Sequence, residues 1–455
     1  MSHNRSLQSL ESDIASKRAI VGIFGAGYVG LPLACAFAES GFRTMAVDRD
    51  ERKIESIREG KAYVEDSYVR EKLAQLVKAK LIEPYVDPDK VAPKVDIGLI
   101  TVPTPLTTRG EPDLSNVTSV ASILAKNLRT GQLIVLESSV YPGTTEEIVL
   151  PILNRSGLRV GVDFGLAHSP ERIDYNNRNY TVLNIPKLVG GITPTCTRVA
   201  CQVYKTIIRA PVIPVSNART AEAAKMLENT YRYVNIAMVN ELALLHEKLG
   251  IDFHEVISAA SSKPFGFQPF YPGPGVGGHC IPKDPHYLAY KARQVGMNLA
   301  IVDVSAEINQ GMAKHIIERL DRNLRTRGKS LKDCGALILG LAFKADVSDA
   351  RRSPALALAK HLKEFGSTIS CYDPYVDSVD DADVHLRSSS DLESAARGAN
   401  VILLVTPHTI FRSIDLRSLA RQMSSEPTIF DTRGFWARAE CEASGFKYLC
   451  VGRPD

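Results

Sequence analysis

The sequence predicts an α/β protein with two Rossmann-like domains, each a parallel doubly wound sheet, joined by a long central helix. Three observations indicate this fold. Apolar, strand-like runs alternate with amphipathic helical segments near both ends of the chain, a long uninterrupted helical pattern lies between them, and 455 residues exceed one ordinary domain. The expected domains are residues 1–210, 211–325 and 326–455.

The first predicted domain begins with a polar segment that we interpret as a frayed lead-in to the first strand. That strand lies in the run AIVGIFGAG, and later strands are predicted in VDIGLITVP and QLIVLESS. These runs alternate with amphipathic helical segments, which is typical of a parallel sheet built from βαβ units.

The central helix is predicted over Asn217–Gly250, which has no proline and no internal glycine. Apolar residues recur at near-helical spacing, among them Met226, Met238 and Leu249. A helix of roughly 30 residues spans about 45 Å, which is longer than one domain needs. We therefore expect it to connect the two sheets and to leave apolar surface for a homodimer or a larger homo-oligomer.

The last predicted domain resembles the first in layout. It contains a strand, a helix, a second strand ending in Asp373 and two further strands, in the runs CGALILGLAF, SPALALAKHLKEFG, TISCYDP, NVILLVTPH and TIFDTRG. No residue-level repeat relates the two domains, so the resemblance is one of pattern only.

Composition and charge exclude several classes of protein. The net charge of +4 gives no broad basic field for nucleic acid. The sequence contains no run of about 18 apolar residues, the length that a helix needs to span a membrane. The N-terminal segment also lacks the apolar core of a signal peptide. The eight cysteines form no CxxC pair or zinc-type spacing, so we expect no metal site and a reducing, cytoplasmic location.

A cofactor site is indicated by Gly25, Gly27 and Gly30, which follow the first strand and open a helix. In such a turn the glycines permit a tight bend, close approach of a diphosphate and close packing of helix on strand. Asp48 ends the second strand, where a carboxylate accepts hydrogen bonds from the adenosine ribose. Arg49 could hold a 2′-phosphate, but Asp48 would repel it, so NAD is favoured over NADP. The alternative is a plain βαβ turn without a ligand.

A reactive cysteine is indicated by the segment FQPFYPGPGVGGHCIPKDP, which concentrates glycine and proline around Cys280. Lys283 and Asp284 lie within five residues, so a thiol, a cation and a carboxylate can converge. A nearby cation favours the thiolate form of a cysteine. The alternatives are that Cys280 is a bystander and that His279 is a structural histidine rather than a base.

Two polar residues of the central helix, Lys225 and Asn229, are four positions apart and therefore share one face. The apolar residues around them indicate a buried turn of helix, where a lysine and an asparagine need polar partners. A ligand could supply these partners. A solvated polar pair is the alternative.

Seven motifs in order resemble the UDP-glucose/GDP-mannose 6-dehydrogenase family. They are GAGYVGLPLA, TVPTPL, ESSVYPGTT, SPERID, AEAAKMLENTYR, GPGVGGHCIPKDP and GLAFKADVSDARRSP, and they cover nearly the whole chain. The resemblance implies an NAD domain, a dimerising central helix and a UDP-binding domain. It also implies two successive NAD-dependent oxidations of a sugar C6 hydroxyl to a carboxylate.

The resemblance also implies catalytic roles. Cys280 is similar to the family's nucleophile, which forms a thiohemiacetal and then a thioester, and Lys225 is similar to the lysine that stabilises the oxyanion. Asn229 and Asp284 match its partners in polarising the hydroxyl or activating water. Glu171 matches the glutamate implicated in hydrolysing the thioester.

Binding roles follow from the same resemblance. Ser139 takes the place of the family's threonine beside the cofactor and the catalytic water, and keeps the hydroxyl. The expected cofactor-binding residues are Gly25, Gly27, Tyr28, Val29, Gly30, Asp48, Lys53, Thr104, Ser139 and Arg351. The expected substrate-binding residues are Glu171, Lys225, Asn229, Gly277, Phe343, Lys344 and Arg433.

One departure bears on the sugar. UDP-glucose enzymes of this family carry an arginine upstream of the cysteine loop, where this chain has Lys263 and bulky aromatic residues. The sequence of this segment, SSKPFGFQPFYPGPGVGGHC, most resembles the branch of the family that acts on UDP-N-acetylglucosamine. UDP-N-acetylmannosamine and UDP-glucose stay open as substrates. Two other readings are a non-catalytic nucleotide-sugar-binding protein and a two-domain hydroxyacid dehydrogenase.

Overall fold

The computed structural model describes residues 6–174, 177 and 179–455. The chain divides into two compact units. Unit 1 comprises Met1–Glu228 and His286–Met297, and unit 2 comprises Asn229–Pro285 and Asn298–Asp455.

The strands of unit 1 are β1 (Val21–Phe24), β2 (Thr44–Val47), β3 (Ile82–Tyr85), β4 (Ile97–Ile100), β5 (Leu133–Leu136), β6 (Gly165–His168), β7 (Lys187–Gly191) and β8 (Val212–Pro214). They form one sheet in the order β3-β2-β1-β4-β5-β6-β7-β8. Neighbouring strands are parallel except β6 and β7, which run antiparallel. The central strands are buried along their whole length, which explains their unbroken apolar sequences.

Helices cover both faces of this sheet. They are α1 (Leu7–Ala15), α2 (Gly30–Glu39), α3 (Glu51–Arg58), α4 (Ser67–Lys78), α5 (Ser115–Lys126), α6 (Leu150–Leu153) and α7 (Pro194–Tyr204). Phe37 of α2 and Val199 of α7 pack in one apolar cluster, whereas Leu124 of α5 and Ile152 of α6 pack in another. This arrangement is the doubly wound sheet that the sequence predicts.

Helix α1 corrects the expectation of a frayed lead-in. Ser6 caps the helix by accepting a hydrogen bond from the Ser9 amide. Leu7, Leu10 and Ile14 are buried in the apolar cluster that also contains residues of α7. Three apolar residues in a polar segment are too sparse to predict a helix, and a helix this short depends on packing against the rest of its unit.

Helix α8 (Ala218–Leu249) confirms the predicted central helix to within one residue at each end. The division between the units follows Glu228, so the helix contributes residues to both. Within unit 2 its side chains Tyr231, Met238 and Leu245 are exposed.

Unit 2 continues with helices α9 (Phe253–Ser261), α10 (Asp284–Gln294), α11 (Ala300–Arg325), α12 (Pro354–Glu364), α13 (Leu392–Ala396), α14 (Leu416–Gln422) and α15 (Arg438–Ala443), of which α10 runs on into unit 1. Its strands are β9 (Gly335–Leu339), β10 (Thr368–Tyr372), β11 (Ser378–Asp380), β12 (His385–Arg387), β13 (Val401–Leu404), β14 (Thr428–Asp431) and β15 (Lys447–Cys450).

The main sheet of unit 2 has the order β10-β9-β13-β14-β15 and is parallel throughout. It confirms the second Rossmann-like sheet. Strands β11 and β12 form a separate antiparallel pair that the sequence did not indicate. Among the described residues, no helix combines the length and the apolarity needed to cross a membrane.

Candidate active site

The glycine turn after β1 has the backbone geometry that a dinucleotide requires. Gly25 has φ +109°, a conformation that L side chains rarely adopt. A Cβ on Gly30 would lie 2.0 Å from the Gly25 carbonyl oxygen, so glycine is required where α2 meets the strand. A Cβ on Gly27 would meet nothing within 4 Å, which leaves open space where a diphosphate approaches the backbone.

The ends of the strands place this turn at the switch point of the sheet. The strand order reverses at β1, between β2 on one side and β4 on the other, and ligands of open α/β sheets bind at such a point. Helix α2 begins here with Val29 as its N-cap and without a side-chain cap, so its first amides face the turn. Tyr28 is partly exposed beside them. These residues are well suited to hold the diphosphate of NAD.

Asp48 follows β2 directly and is half-buried. One carboxylate oxygen accepts a hydrogen bond from the Asp50 amide at 3.0 Å, and the other lies 3.4 Å from the Lys53 ammonium. Arg49 is exposed. The structure therefore brings together Asp48 and Lys53, two residues that the sequence assigns to the cofactor.

Thr104 and Ser139 lie beyond the carboxyl ends of β4 and β5. The Thr104 hydroxyl donates to the Ser139 carbonyl at 2.7 Å. Thr104 is buried, whereas Ser139 is half-buried. Both belong to the same edge of the sheet as the glycine turn, because parallel strands end together at that edge.

Glu171 follows β6 in unit 1 and is anchored on both oxygens. One oxygen accepts from the amides of Arg172 and Ile173 at 2.6 and 2.8 Å, and the other lies 3.1 Å from the ammonium of Lys187. Lys187 is also 2.7 Å from Glu137. A buried lysine thus holds two carboxylates of neighbouring strands.

On helix α8, Lys225 and Asn229 are both buried, as the apolar residues around them indicate. One turn earlier, the buried carboxylate of Glu222 accepts hydrogen bonds from the Gly143 amide and from the amide and hydroxyl of Thr145. These hydrogen bonds lower the pKa of Glu222, but burial outweighs them and raises it to about 7. Glu222 thereby fixes the loop that carries Ser139 to the helix that carries Lys225.

In unit 2, the glycine-rich loop that carries Cys280 (the cysteine loop) forms a hydrogen-bonded turn at that residue. The Cys280 carbonyl accepts from the amides of Lys283 and Asp284 at 3.0 and 2.8 Å. The Lys283 ammonium lies 3.4 Å from one oxygen of Asp284, and the Asn229 amide donates to the other at 2.6 Å. Lys283 and Asp284 are fully buried, so the loop brings a cation, a carboxylate and an amide to the cysteine segment.

His279 has its Nδ1 3.7 Å from the Cys280 sulfur. Burial, together with the positive charges of Lys283 and Arg351, lowers the pKa of His279 to about 4. These surroundings favour the neutral ring, which is a poor partner for a thiolate.

The eight cysteines differ in exposure. Cys280 is half-buried, and the other seven are buried. Burial raises the pKa of the thiols of Cys35, Cys371, Cys441 and Cys450 to about 12. A nucleophile needs access and a thiolate, so Cys280 is the cysteine best placed for chemistry.

The cysteine loop packs on the segment between β9 and α12. The Gly278 amide donates to the Arg351 carbonyl at 3.1 Å. A Cβ on Gly277 would lie 3.0 Å from the Cβ of Phe343 and closer still to Arg352 and Pro354, so only glycine fits there. The structure thus places Gly277 beside Phe343, two residues that the sequence assigns to the substrate.

The remaining assigned residues of unit 2 are Lys344, Arg351 and Arg433. Lys344 is half-buried next to Phe343, and the Arg351 guanidinium pairs with Asp349 at 2.9 Å. Arg433 follows β14, and a Cβ on Gly273 would lie 2.3 Å from its guanidinium. Burial lowers the pKa of Arg433 to about 10, which still leaves the side chain cationic at neutral pH.

The assigned residues fall into two sets. The set of unit 1 contains the glycine turn, Asp48, Lys53, Thr104, Ser139, Glu171 and Lys225, and the set of unit 2 contains Asn229, Gly277, Cys280, Asp284, Phe343, Lys344, Arg351 and Arg433. Each set combines glycine backbone with charged or polar side chains, the groups that contact phosphates and hydroxyls in nucleotide sites.

Sequence reasoning missed three residues that position this machinery. Lys187 is the first residue of β7 and the charged residue of that strand, which is a signal that could have found it. Glu222 stands among alanines on a buried helical face, which is another such signal. The Tyr63 hydroxyl donates to the carbonyl of Ala26 inside the glycine turn, and no pattern in the sequence indicates this contact.

Three domain descriptions of the UDP-glucose/GDP-mannose dehydrogenase family match the chain. The NAD binding domain matches residues 19–208, the central domain residues 219–311 and the UDP binding domain residues 337–438. The chain belongs to this family. It is an oxidoreductase with NAD as its cofactor, as the sequence predicts.

Curated relatives and solved structures agree with this assignment. A UDP-N-acetyl-D-glucosamine 6-dehydrogenase of Pseudomonas aeruginosa is 33% identical over 416 residues, which are 91% of this chain and 96% of the relative. A UDP-N-acetyl-D-mannosamine dehydrogenase of Pyrococcus horikoshii is 31% identical over 441 residues, covering 96% and 99%. The solved structure of the UDP-D-ManNAc dehydrogenase from that organism superposes with a TM-score of 0.87 at 30% identity, covering 95% of this chain and 99% of the other.

Proposed function

We propose that this family member oxidises the C6 hydroxyl of UDP-N-acetyl-D-glucosamine to the uronate, for polysaccharide or glycan biosynthesis. The observation that carries the proposal is that Cys280 is only half-buried, in a glycine-rich loop beside Asp284, while the other cysteines are buried. Oxidation of an alcohol to an acid without release of the aldehyde needs a covalent anchor. A thiolate is the side-chain nucleophile least handicapped at neutral pH.

The proposed reaction uses Cys280 as that anchor. The turn of Gly25, Gly27 and Gly30 would hold the diphosphate of NAD, which would supply the hydride acceptor for each of the two oxidations. Cys280 adds to the aldehyde carbon to give a thiohemiacetal, and the loss of hydride converts this to a thioester. Lys225 stabilises the oxyanion at each stage.

Water then completes the proposed reaction. Asn229 and Asp284 polarise the hydroxyl or activate this water, and their 2.6 Å hydrogen bond supports a shared role. The water adds to the thioester carbon, the carbon–sulfur bond breaks, and Glu171 takes the proton. The products are the uronate and the free thiol of Cys280.

The remaining assignments complete the substrate and cofactor sites. Thr104, Ser139 and Arg351 serve the cofactor, with Tyr28, Val29, Asp48 and Lys53. Gly277, Phe343, Lys344 and Arg433 serve the UDP-sugar. We also propose the three-part division at residues 210 and 325 and a cytoplasmic location.

The choice of sugar follows the spelling of the cysteine loop and the 33% identity to a UDP-N-acetyl-D-glucosamine enzyme. The 31% identity to a UDP-N-acetyl-D-mannosamine enzyme favours a second candidate, and UDP-glucose is a third. NADH formation on the three UDP-sugars tests the order. We expect the highest kcat/KM with UDP-N-acetylglucosamine, and an equal or higher value for either rival would contradict this choice. No NADH from any UDP-sugar would favour a non-catalytic binding protein.

Cys280→Ala should abolish acid formation, with a loss of several powers of ten in kcat, because nucleophile and base act as one unit. The wild type should release two NADH for each uronate and no aldehyde. Cys280→Ser should trap a slow acyl-enzyme, visible by intact-protein mass spectrometry. Cys201→Ala, at a buried cysteine of α7, is the matched control and should keep full activity. A Cys280→Ala protein that makes uronate at the wild-type rate would end the covalent mechanism.

We further propose that the chain forms at least a dimer through helix α8. Tyr231, Met238, Leu245 and Leu249 are exposed along it, and such apolar surface favours association. Light scattering at micromolar concentration should give at least twice the 49.8 kDa mass of the chain. Met238→Glu with Leu245→Glu should lower that mass, whereas a monomeric wild type would contradict the proposal.

A further inference from the structure

A buried charge cluster behind Glu171 is built from three strands of unit 1. The Lys187 ammonium lies 2.7 Å from Glu137 at the end of β5 and 3.1 Å from Glu171 after β6. The side chains of Lys187 and Glu137 are 5% and 0% exposed, and that of Glu171 is 11% exposed. One cation therefore serves two carboxylates, and Glu171 is the more accessible of the two.

Among the described residues, two further groups around this cluster add no positive charge. His168 on β6 is neutral, since burial and Lys187 lower its pKa to about 3. The Tyr204 hydroxyl of α7 donates to Glu137, and burial holds the pKa of Tyr204 well above its usual value. Burial likewise raises the pKa of Glu137.

The guanidinium of Arg172, the residue after Glu171, has other partners. Arg172 donates to the Pro186 carbonyl at 2.8 Å and pairs with Glu228 of α8 at 2.6 Å. Burial lowers the pKa of Lys187, but the attraction of Glu137 and Glu171 outweighs burial, and the net shift is upward. Lys187 therefore stays charged, and its ammonium contacts the Glu171 carboxylate.

We propose that Lys187 is a positioning residue that keeps the Glu171 carboxylate ionised and oriented for hydrolysis of the thioester. The inference rests on the proposed function, in which Glu171 takes the proton of the attacking water. The two amide donors fix one oxygen of Glu171, and Lys187 fixes the other. Without Lys187, no cation lies between the two carboxylates, which favours uptake of a proton by the pair, and the second oxygen of Glu171 loses the donor that orients it.

The test compares Lys187→Met, Lys187→Arg and the wild type in the pH dependence of kcat with the UDP-sugar found active. Removal of a cation at this distance should move the acidic limb of kcat upward by about one to two pH units in Lys187→Met. Lys187→Arg should return the acidic limb of the kcat profile to its wild-type position, because it keeps the positive charge. Two NADH should form in a fast burst before slow turnover in Lys187→Met, because hydrolysis follows both oxidations. The values of kcat and KM should then fall together, so that kcat/KM for the UDP-sugar stays unchanged.

A second variant guards against a failure to fold. In Lys187→Met/Glu137→Gln the buried carboxylate is removed together with its cation, so the protein should fold, and the acidic limb should lie between those of wild type and Lys187→Met. Arg129→Met is the structural control. Arg129 pairs with buried Asp96 at 3.0 Å, and Asp96 precedes β4, whereas Glu171 follows β6 at the opposite end of these parallel strands. Arg129→Met should lower the melting temperature without moving the limb.

The outcomes separate the two proposals. If the wild type oxidises a UDP-sugar but Lys187→Met neither moves the acidic limb of kcat nor shows a burst, the role of Lys187 is overturned and the proposed function stands. If the wild type forms no NADH with any UDP-sugar, the proposed function itself is overturned.

Discussion

The two sheets of the molecule carry the same glycine turn and use it differently. In unit 1 the Gly25 amide donates to the carbonyl of Val47, the last residue of β2, at 2.8 Å. In unit 2 the Gly340 amide donates to the carbonyl of Tyr372, the last residue of β10, at 2.9 Å. Gly25 and Gly340 have φ +109° and +92°. In each unit an aspartate follows the second strand.

The two aspartates have different partners. Asp48 accepts from one amide and lies 3.4 Å from Lys53, and it is half-buried. Asp373 is buried and accepts from the amides of Leu341 and Ala342 inside its own glycine turn, from two amides after β10 and from His408 at 2.9 Å. In unit 2 the protein's own carboxylate thus occupies the amides that would otherwise bind an anion.

The segments after the two turns differ as well. Helix α2 begins at Gly30, within the glycine motif, whereas α12 begins at Pro354, well beyond Gly340. The intervening segment of unit 2 carries Phe343 and Lys344 instead of a helix N-terminus. The comparison teaches that a shared turn does not make a shared site. The site depends on whether the aspartate after the second strand is available to a ligand or accepts hydrogen bonds from buried groups of the protein itself.

The largest expected effect is on stability. Asp373→Ala should lower the free energy of unfolding by about 3–5 kcal/mol, because it leaves several buried donors without an acceptor. Urea unfolding measures the change. Asp48→Ala is the matched variant and should cost less than about 1 kcal/mol, since Asp48 accepts from one amide. Equal losses in the two variants would contradict the comparison.

A smaller effect is expected on the cofactor. Asp48→Ala should raise the KM for NAD about tenfold, because a charged acceptor of ribose hydrogen bonds is lost. The preference for NAD over NADP should narrow, as the repulsion of a 2′-phosphate is lost too. Asp373→Asn should leave the KM for NAD unchanged. Comparable turnover of the wild type with NADP would show that Asp48 does not select the cofactor.

The smallest effect concerns pH. Burial raises the pKa of Asp373, but the hydrogen bonds from His408 and from several amides outweigh burial, and the net shift is downward. A carboxylate whose pKa is lowered by folding stabilises the fold above its unfolded pKa, and this contribution is lost as the pH falls. The free energy of unfolding should therefore decline below about pH 4, and Asp373→Asn should weaken that decline. A variant with the same acid profile as the wild type would exclude Asp373 as its source.

The sequence by itself determined the features that depend on local pattern. The apolar runs of β1 and β9, the glycine turns and the proline-free α8 follow from residues close together in the chain. Cys280 stood out because glycine and proline surround it. Period and turn chemistry are properties of short windows, so one sequence suffices to predict them.

Only the tertiary structure decided the features that depend on distant partners. Helix α1 exists because its three apolar residues pack on a helix that lies more than 180 residues further along the chain. Lys187 and Glu171 meet because β6 and β7 are neighbours, and Asp373 meets His408 because the sheet of unit 2 brings β10 near the end of β13. The sequence alone does not distinguish a carboxylate that binds a ligand from one that accepts hydrogen bonds from buried donors of the protein. Its role is set by the groups that the fold leaves around it, and burial makes the difference large.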